Sequence, residues 1–427
     1  MPLEAVAGRM FSQGFTPFHN AAPRPRGASG AKRFPTFYMQ KEIAVHSESA
    51  PVVLQVQRNG ENVDVAACAG GFGAEQSNGN QSHGDVEQED RILRDWQLFC
   101  KQQAVPAIVR MNMEKIKDLE VEFGEELKFG GPRGSLKGRP GAEEDHRHRE
   151  FYETLTDSES KLQNFAARQV ACRVIGSKGY LCDTCWLPER DCMCDTFDKG
   201  RLWPGICLWL YMHPKDFLRK NNTGKLLWQV FGDKAARLTV FGISDHEEVM
   251  WNAFKEAGRD KVWCIYPHPP ECQVPDVLIP EDLVDRQEDS KDGDAHRIHL
   301  VLIDGTWSNS KAMISRLKER ASRLWEGRSI PCVALSPTNV SPMHNLRPQP
   351  STARTCTAGA AAQLLRELGM RKELAGFGLD QSADILDDSL TCLQDALVSR
   401  RKRVGRTTQR FGRIQCDPVV SVESDDL

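Results

Sequence analysis

The feature that most constrains the fold of this chain is an alternation of short apolar runs with helical segments between residues 205 and 368. The apolar runs lie at 205–213, 237–243, 262–266, 299–303 and 332–335, and segments with helical spacing lie at 223–231, 246–257, 309–324 and 355–368. These runs are apolar throughout rather than at every second position, which is typical of strands buried on both faces. We therefore expect an α/β fold with a mostly parallel sheet and helices on both of its faces.

The loop after the fourth of these strands contains a candidate catalytic residue. Parallel sheets bind ligands at the carboxyl ends of their strands, and this loop begins with Asp304, Gly305, Thr306 and Trp307. Asp304 could be a catalytic or ligand-binding carboxylate, and the amides that open the next helix could meet a carboxylate or phosphate. The alternative is that Asp304 caps that helix and Trp307 packs beneath it.

Two further loops follow the carboxyl ends of strands in the same way. His213 ends the first strand and could bind a phosphate or accept a proton, or it could be a structural histidine. Asn222 and Thr223 come shortly afterwards and could be ordinary helix caps. Arg347 lies in the loop after the last strand, where it could pair with a carboxylate or phosphate, or be a surface arginine.

Four cysteines are clustered just ahead of this region. Cys182, Cys185, Cys192 and Cys194 lie within thirteen residues, as two short pairs six residues apart. Such pairs present their thiols on one side of a turn, so this spacing predicts a single tetrahedral zinc ion. Four thiolates leave no open coordination position, and we therefore expect a structural zinc knuckle rather than a catalytic metal.

The composition limits the classes of protein and partner. The chain has 427 residues, a net charge of −3 and fourteen cysteines, of which ten are scattered without pairwise spacing. This pattern favours a reducing, intracellular compartment over a secreted disulfide framework. No apolar stretch approaches ~18 residues, so we expect no membrane span. No phosphate-binding loop or dinucleotide fingerprint occurs in the context it needs, and a near-neutral chain requires a local patch to bind nucleic acid.

The sequence also suggests how the chain is divided. We expect a leader and low-complexity linker at 1–90, followed by a helical extension at 91–150 that includes a second linker at 130–149. A zinc knuckle at 172–200, a catalytic domain at 201–380 and a basic then acidic tail at 381–427 are expected to follow. The acid-poor, arginine-containing leader is typical of a transit peptide or of a disordered segment. The tail has seven basic residues between 400 and 413 and is expected to be disordered. The sequence therefore does not distinguish an organelle from the nucleus or cytoplasm as the compartment of this protein.

Taken together, the motifs resemble the DTW-domain family, the tRNA-uridine aminocarboxypropyltransferases. The resemblance covers about residues 172–368. The features that carry it, in order, are the cysteine cluster, the His213-Pro214-x-Asp216 turn, Asn222-Thr223-Gly224-Lys225-Leu226, Asp304-Gly305-Thr306-Trp307 with Lys311, and Leu346-Arg347-Pro348 with Thr357 and Ala360. The His213 turn leads directly to the Asn222 segment and forms one motif with it. Four motifs in the same order make a specific match, although each alone is weak.

This resemblance implies a SPOUT-like fold and a reaction. The family transfers the 3-amino-3-carboxypropyl group of S-adenosylmethionine to N3 of a uridine in tRNA, so tRNA is the expected partner, with neither DNA nor a membrane. Asp304 is the candidate general base. The other assigned residues are Thr306, Trp307, Leu335, Ser336 and Arg347 for the donor, and His213, Asn222, Thr223 and Lys311 for the substrate.

Two positions depart from the family pattern. Asp216 stands where a glutamate is common, and Gly359 occupies the place of an expected glutamate. The second departure keeps open the alternative of a zinc-knuckle RNA-binding protein without catalysis. A SPOUT-type RNA methyltransferase using the same donor is a separate alternative.

Overall fold

The structure is a computed structural model, and it describes residues 105–130, 135–177, 180–182, 184–267, 272–274, 279–280, 293–336, 342–346 and 355–408. Everything below refers to these residues. The expected leader and linker at 1–90, the side chain of Arg347 and the end of the tail lie outside them.

Three helices precede the cysteine cluster. They are α1 (Ala107–Phe123), α2 (Gly138–Thr154) and α3 (Ser158–Ser177), with a small antiparallel pair, β1 (Phe129–Gly130) and β2 (Ser135–Leu136), between the first two. The prediction of a linker at 130–149 is therefore wrong from Gly138 onward. Helix α2 has almost no apolar face, and ion pairs hold it to its neighbours: Arg147 pairs with Glu122 of α1, and Arg168 of α3 pairs with Glu144. Hydrophobic periodicity cannot detect a helix of this kind.

The sheet has the predicted parallel form. Its strands are β3 (Ile206–Met212), β4 (Ala236–Val240), β5 (Val262–Ile265), β6 (Cys272–Gln273), β7 (Ile298–Asp304) and β8 (Cys332–Ala334). Their order in the sheet is β4-β3-β7-β5-β8-β6, and every described pairing is parallel. The strand β7 thus enters the middle of the sheet, beside β3, although β4, β5 and β6 come between them in the chain.

Helices cover both faces, as the sequence predicted. They are α4 (Leu226–Phe231), α5 (Ser244–Ala257), α6 (Trp307–Leu324), α7 (Thr357–Gly369) and α8 (Leu379–Arg403). Side chains of β3 alternate between two apolar layers: Leu208 and Leu210 pack with α4, α7 and α8, whereas Trp209 and Tyr211 pack with α5 and α6. None of the helices in the described part of the chain is both long and apolar enough to cross a bilayer.

The helix α8 corrects the expected start of the tail. Regular structure was predicted to end near residue 380, yet α8 continues to Arg403. Leu386, Leu390 and Leu393 are fully or almost fully buried along one side of it and join the apolar layer that contains α7. This burial, rather than the charge of the last turn, decides that the segment is helical.

Candidate functional site

Three distant parts of the chain meet at the carboxyl end of β7. Asp304 ends this strand and is 3% exposed. Its Oδ2 accepts a hydrogen bond from Asn222 Nδ2 at 2.5 Å, and its Oδ1 accepts one from Thr357 Oγ1 at 2.6 Å. The carboxylate therefore ties the turn before α4 and the first residue of α7 to the edge of the sheet.

The turn before α4 is shaped to reach this carboxylate. Asn222 Oδ1 accepts a hydrogen bond from the Lys225 amide at 3.0 Å, which leaves its Nδ2 to face Asp304. Gly224 packs against the sheet, and a Cβ there would lie 2.6 Å from Leu210 Cδ1 and 3.2 Å from Asp304 Cγ. The motif needs glycine at this position because any side chain would push the turn away. Thr223 Oγ1 accepts from the Ala358 amide at 3.5 Å and so joins this turn to α7 as well.

His213 lies directly beside Asp304. Its amide donates to the Asp304 carbonyl at 2.8 Å, because β3 and β7 are neighbours in register. The ring is buried and stacks on Phe241 with centroids 5.9 Å apart. Burial lowers the pKa of His213 to about 4, so the ring is neutral at pH 7. Its Nδ1 accepts from the Lys215 amide at 3.2 Å, which places the ring proton on Nε2 as a donor.

The start of α6 follows the carboxylate. Thr306 is the N-cap, and its Oγ1 accepts from the Asn309 amide at 3.4 Å. Helix capping therefore belongs to Thr306, whereas Asp304 bonds to other parts of the chain. Trp307 is half-buried, and Lys311 is exposed one turn further on.

The loop after β8 is held by a residue that sequence analysis missed. Leu335 is half-buried, and the exposed Ser336 donates its amide to Glu367 Oε1 at 2.9 Å. Glu367 lies on α7 and is 8% exposed, and Oε2 has no partner among the described residues. Glu367 could not be predicted from the sequence because it is a single acidic residue in a mostly apolar helix and belongs to no motif. Arg347 falls outside the described residues, although the Leu346 carbonyl just before it accepts from Arg401 at 3.0 Å.

The four clustered cysteines converge as predicted. The sulfurs of Cys182, Cys185, Cys192 and Cys194 all lie within 4.8 Å of one another, and Cys182 Sγ is 3.5 Å from both Cys192 Sγ and Cys194 Sγ. A tetrahedral zinc ion with sulfur ligands needs sulfur separations of ~3.8 Å, so this donor set fits zinc. With four thiolates the site would be closed, and the metal would be structural.

Buried polar contacts fasten this cysteine knuckle, residues 182–194, to α4 and the turn before it. Lys225 is fully buried, and its Nζ donates to the carbonyls of Cys185 and, at 2.8 Å, Lys220. Gln229 Nε2 donates to the Thr184 carbonyl. The same Lys225 amide bonds Asn222, so the knuckle supports the turn that carries the Asp304 contact.

The structure therefore brings the predicted residues together in two groups. His213, Asn222 and Thr223 surround Asp304, whereas Leu335 and Ser336 lie at the end of β8, which β5 separates from β7. Sequence analysis did not assign a role to Thr357 or Lys225, although both stand in the quoted motifs. Their positions in those motifs were the available signal.

The comparisons with known proteins agree with this geometry. No solved structure matches the chain closely enough to establish a relationship. A family model, the DTW domain, matches residues 179–398, which is from the start of the cysteine knuckle to the last turns of α8. This match spans more than half of the chain and includes all three segments that meet at Asp304. The chain therefore belongs to the DTW domain family.

Proposed function

We propose that this protein transfers the 3-amino-3-carboxypropyl group of S-adenosylmethionine to N3 of a uridine in tRNA. Membership of a family associated with tRNA-modifying transferases supports the substrate class. The observation that carries the proposal is the convergence of Asp304, Asn222 and Thr357 at the carboxyl edge of a parallel sheet. Ligands of such sheets bind at this edge.

The reaction sets two requirements for the site. A bond forms between uridine N3 and the methionine γ-carbon, the bond from that carbon to sulfur breaks, and its electron pair stays on sulfur in methylthioadenosine. The sulfonium has three carbon substituents, so the site must align the γ-carbon rather than the methyl group with N3. Alignment of this kind can lower a barrier by roughly 7–11 kcal/mol at best. The N3 proton must also be removed.

We assign the proton-accepting role to Asp304. Its Oδ2 accepts a hydrogen bond from Asn222, and its Oδ1 accepts one from Thr357. The two donors stabilise the charged carboxylate and hold it in one orientation. A general base in such a position contributes roughly 10²–10⁴-fold to the rate.

The other candidate residues are assigned to the donor, to the nucleotide or to positioning of the site. We assign Thr306, Trp307, Leu335 and Ser336 to the donor, on the side of β7 and β8, and we assign Arg347 to the donor from its motif alone. His213 and Lys311 would meet the nucleotide, His213 as a neutral Nε2 donor. Asn222 and Thr223 already bond Asp304 and Ala358, so we assign them to positioning the site rather than to direct contact. Zinc in the cysteine knuckle would stabilise the turn before α4, which Lys225 joins to the knuckle.

One observation favours a second candidate, an RNA-binding protein without catalysis. Gly359 lies in the first turn of α7, where the family pattern has a glutamate, and that turn contains no acidic residue. A Cβ at this position would lie 2.4 Å from Thr355 Oγ1, so the local packing is adapted to glycine.

The decisive experiment uses donor labelled in two ways. The full-length protein is incubated with unmodified tRNA transcripts and S-adenosylmethionine labelled either in the methyl group or in the carboxypropyl carbons. Carboxypropyl label in the RNA supports the proposal. Methyl label would instead identify a methyltransferase, and tRNA binding without either label would identify the RNA-binding protein.

A further inference from the structure

Arg173 on α3 is a buried cation with no ion pair among the described residues. It is 9% exposed, its Nε has no hydrogen-bond partner, and it forms no ion pair with any residue in the described ranges. Burial lowers the pKa of Arg173 to about 10, so the guanidinium stays charged at neutral pH. A buried charge that is not fully compensated is costly, and proteins seldom bury a charge that is neither paired nor bound to a counter-ion.

The ionised groups near Arg173 do not neutralise it. Arg219 lies close enough to lower the pKa of Arg173 by repulsion, and Asp216 lies close enough to oppose that effect. Asp216 is 2% exposed and already forms an ion pair with Arg219, although its Oδ2 has no partner in the described structure. Two arginines therefore share one carboxylate. This leaves one positive charge for an anion from outside the protein.

The position of α3 places this charge at the candidate active site. Phe165 of α3 lies against His213, with ring centroids 6.2 Å apart, and Leu162 and Ala166 pack on Gly242 after β4. The helix thus crosses the carboxyl ends of β3 and β4. Arg173 also contributes to the electrostatic environment of the His213 ring. Because α3 precedes residue 179, the family match does not include Arg173.

The topology selects which anion Arg173 meets. A guanidinium suits either the carboxylate of the donor or a phosphate of the RNA. The loop after β8, which we assign to the donor, lies on the opposite side of β7 from β3. Arg173 lies on the β3 side, with Lys215 exposed and Lys220 half-buried in the adjoining loop.

We propose that Arg173 binds a backbone phosphate of the tRNA substrate next to the target nucleotide. This inference rests on the proposed function only in taking tRNA as the ligand. Arg219 would assist from across the shared carboxylate, and the neutral His213 would be left to meet the base or the ribose. The helical extension before the family domain would then be part of the substrate site.

The test measures tRNA binding against salt concentration for full-length Arg173→Gln and Arg173→Met. Loss of one phosphate contact should weaken binding about threefold or more and make the slope of log K against log salt shallower by roughly 0.7–0.9. The dissociation constant for S-adenosylmethionine should not change. The matched control is Arg323→Gln, which removes an exposed arginine paired to Glu319 near the end of α6.

Stability gives an independent readout for the same variants. Replacing an unpaired buried charge with Met should leave the midpoint of urea unfolding unchanged or raise it. An unchanged salt slope in both variants would overturn the inference, and so would a loss confined to S-adenosylmethionine binding. Carboxypropyl transfer by the wild-type protein is measured separately. If the wild-type protein shows no transfer while the variants show an altered salt slope of tRNA binding, the proposed function is rejected and the inference about Arg173 stands.

Discussion

Asn222 donates a hydrogen bond from Nδ2 to Oδ2 of Asp304 at 2.5 Å, across 82 positions of sequence. This contact joins the turn before α4 to the end of β7, and Thr357 bonds the other oxygen of the same carboxylate. One buried acid thus fixes the relative positions of three loops. The same acid is the candidate base, so its structural and chemical roles can be separated only by substitutions that preserve the hydrogen bonds.

Asp304→Asn should abolish transfer and keep the fold. The new amide oxygen can still accept from Asn222, and the new Nδ2 can donate to Thr357 Oγ1, which accepts as readily as it donates. The basic oxygen is lost, and we expect the rate of carboxypropyl transfer to fall by roughly 10²–10⁴-fold. Single-turnover transfer and tRNA binding are measured together. Transfer at the wild-type rate would remove Asp304 from the role of base.

The cysteine knuckle should hold one zinc ion for each chain. Cys185→Ser removes one thiolate from the convergent set, and it should lower both the zinc content and the thermal midpoint because structural zinc contributes directly to folding. Elemental analysis of the purified protein reports the metal. Cys392→Ser changes a cysteine outside the cluster and should retain zinc. A wild-type protein purified without zinc, yet folded and active, would contradict this assignment.

Lys225→Met should destabilise both the cysteine knuckle and the turn before α4 that contains Asn222. The substitution keeps the buried aliphatic chain but removes the donor to the carbonyls of Cys185 and Lys220, at a cost of about 1–3 kcal/mol. Urea unfolding measures that loss, and the transfer rate should fall with it because Asn222 lies in the same turn. The exposed Lys255→Met is the control and should change stability by less than about 0.5 kcal/mol. Equal effects in the two variants would show that the buried contacts do not matter.

Stability should fall in mild acid because of three buried histidines. Burial lowers the pKa values of His213, His246 and His299 to about 4, whereas an unfolded histidine titrates near ~6.5. Their contribution is complete above ~6.5 and is lost as the pH falls toward 4, since the unfolded chain then takes up protons that the folded protein excludes.

His246→Asn tests the origin of that loss. The free energy of unfolding is measured with urea between pH 7 and 4. Its slope against pH should be smaller in the variant than in the wild-type protein by up to about 1.4 kcal/mol per pH unit, which is the contribution of one proton. The Asn oxygen can still accept from the Val240 amide, as Nδ1 does. A slope identical to that of the wild-type protein would mean that other groups cause the acid sensitivity.

The sequence predicted five of the six strands of the sheet, because each of the five carries its own apolar signal; β6 is only two residues long and was not predicted. The apolar run at 205–213 corresponds to β3, and the run at 299–303 corresponds to β7. Burial on both faces requires apolar side chains at every position, and this requirement is visible within a few residues. Helix α2 left no such trace because ion pairs with Glu122 and Arg168 hold it in place.

The candidate site was predicted in part. Asp304 could be selected because it follows a buried strand, and the four cysteines could be selected by their spacing. The sequence did not indicate that Asn222 and Thr357 bond the same carboxylate, since neither residue is near Asp304 in the chain. Arg173 likewise belongs to an apolar helix in which nothing marks a buried, unpaired charge.

The sequence by itself determined the parallel α/β fold, the cluster of four cysteines and the family, because these depend on local apolar runs and on short, fixed spacings. The tertiary structure alone decided that β7 lies beside β3, that Lys225 joins the knuckle to the turn before α4, and that α3 brings Arg173 to the candidate site. These contacts join residues far apart in the chain. They arise from how whole elements pack, and packing leaves no pattern in neighbouring residues.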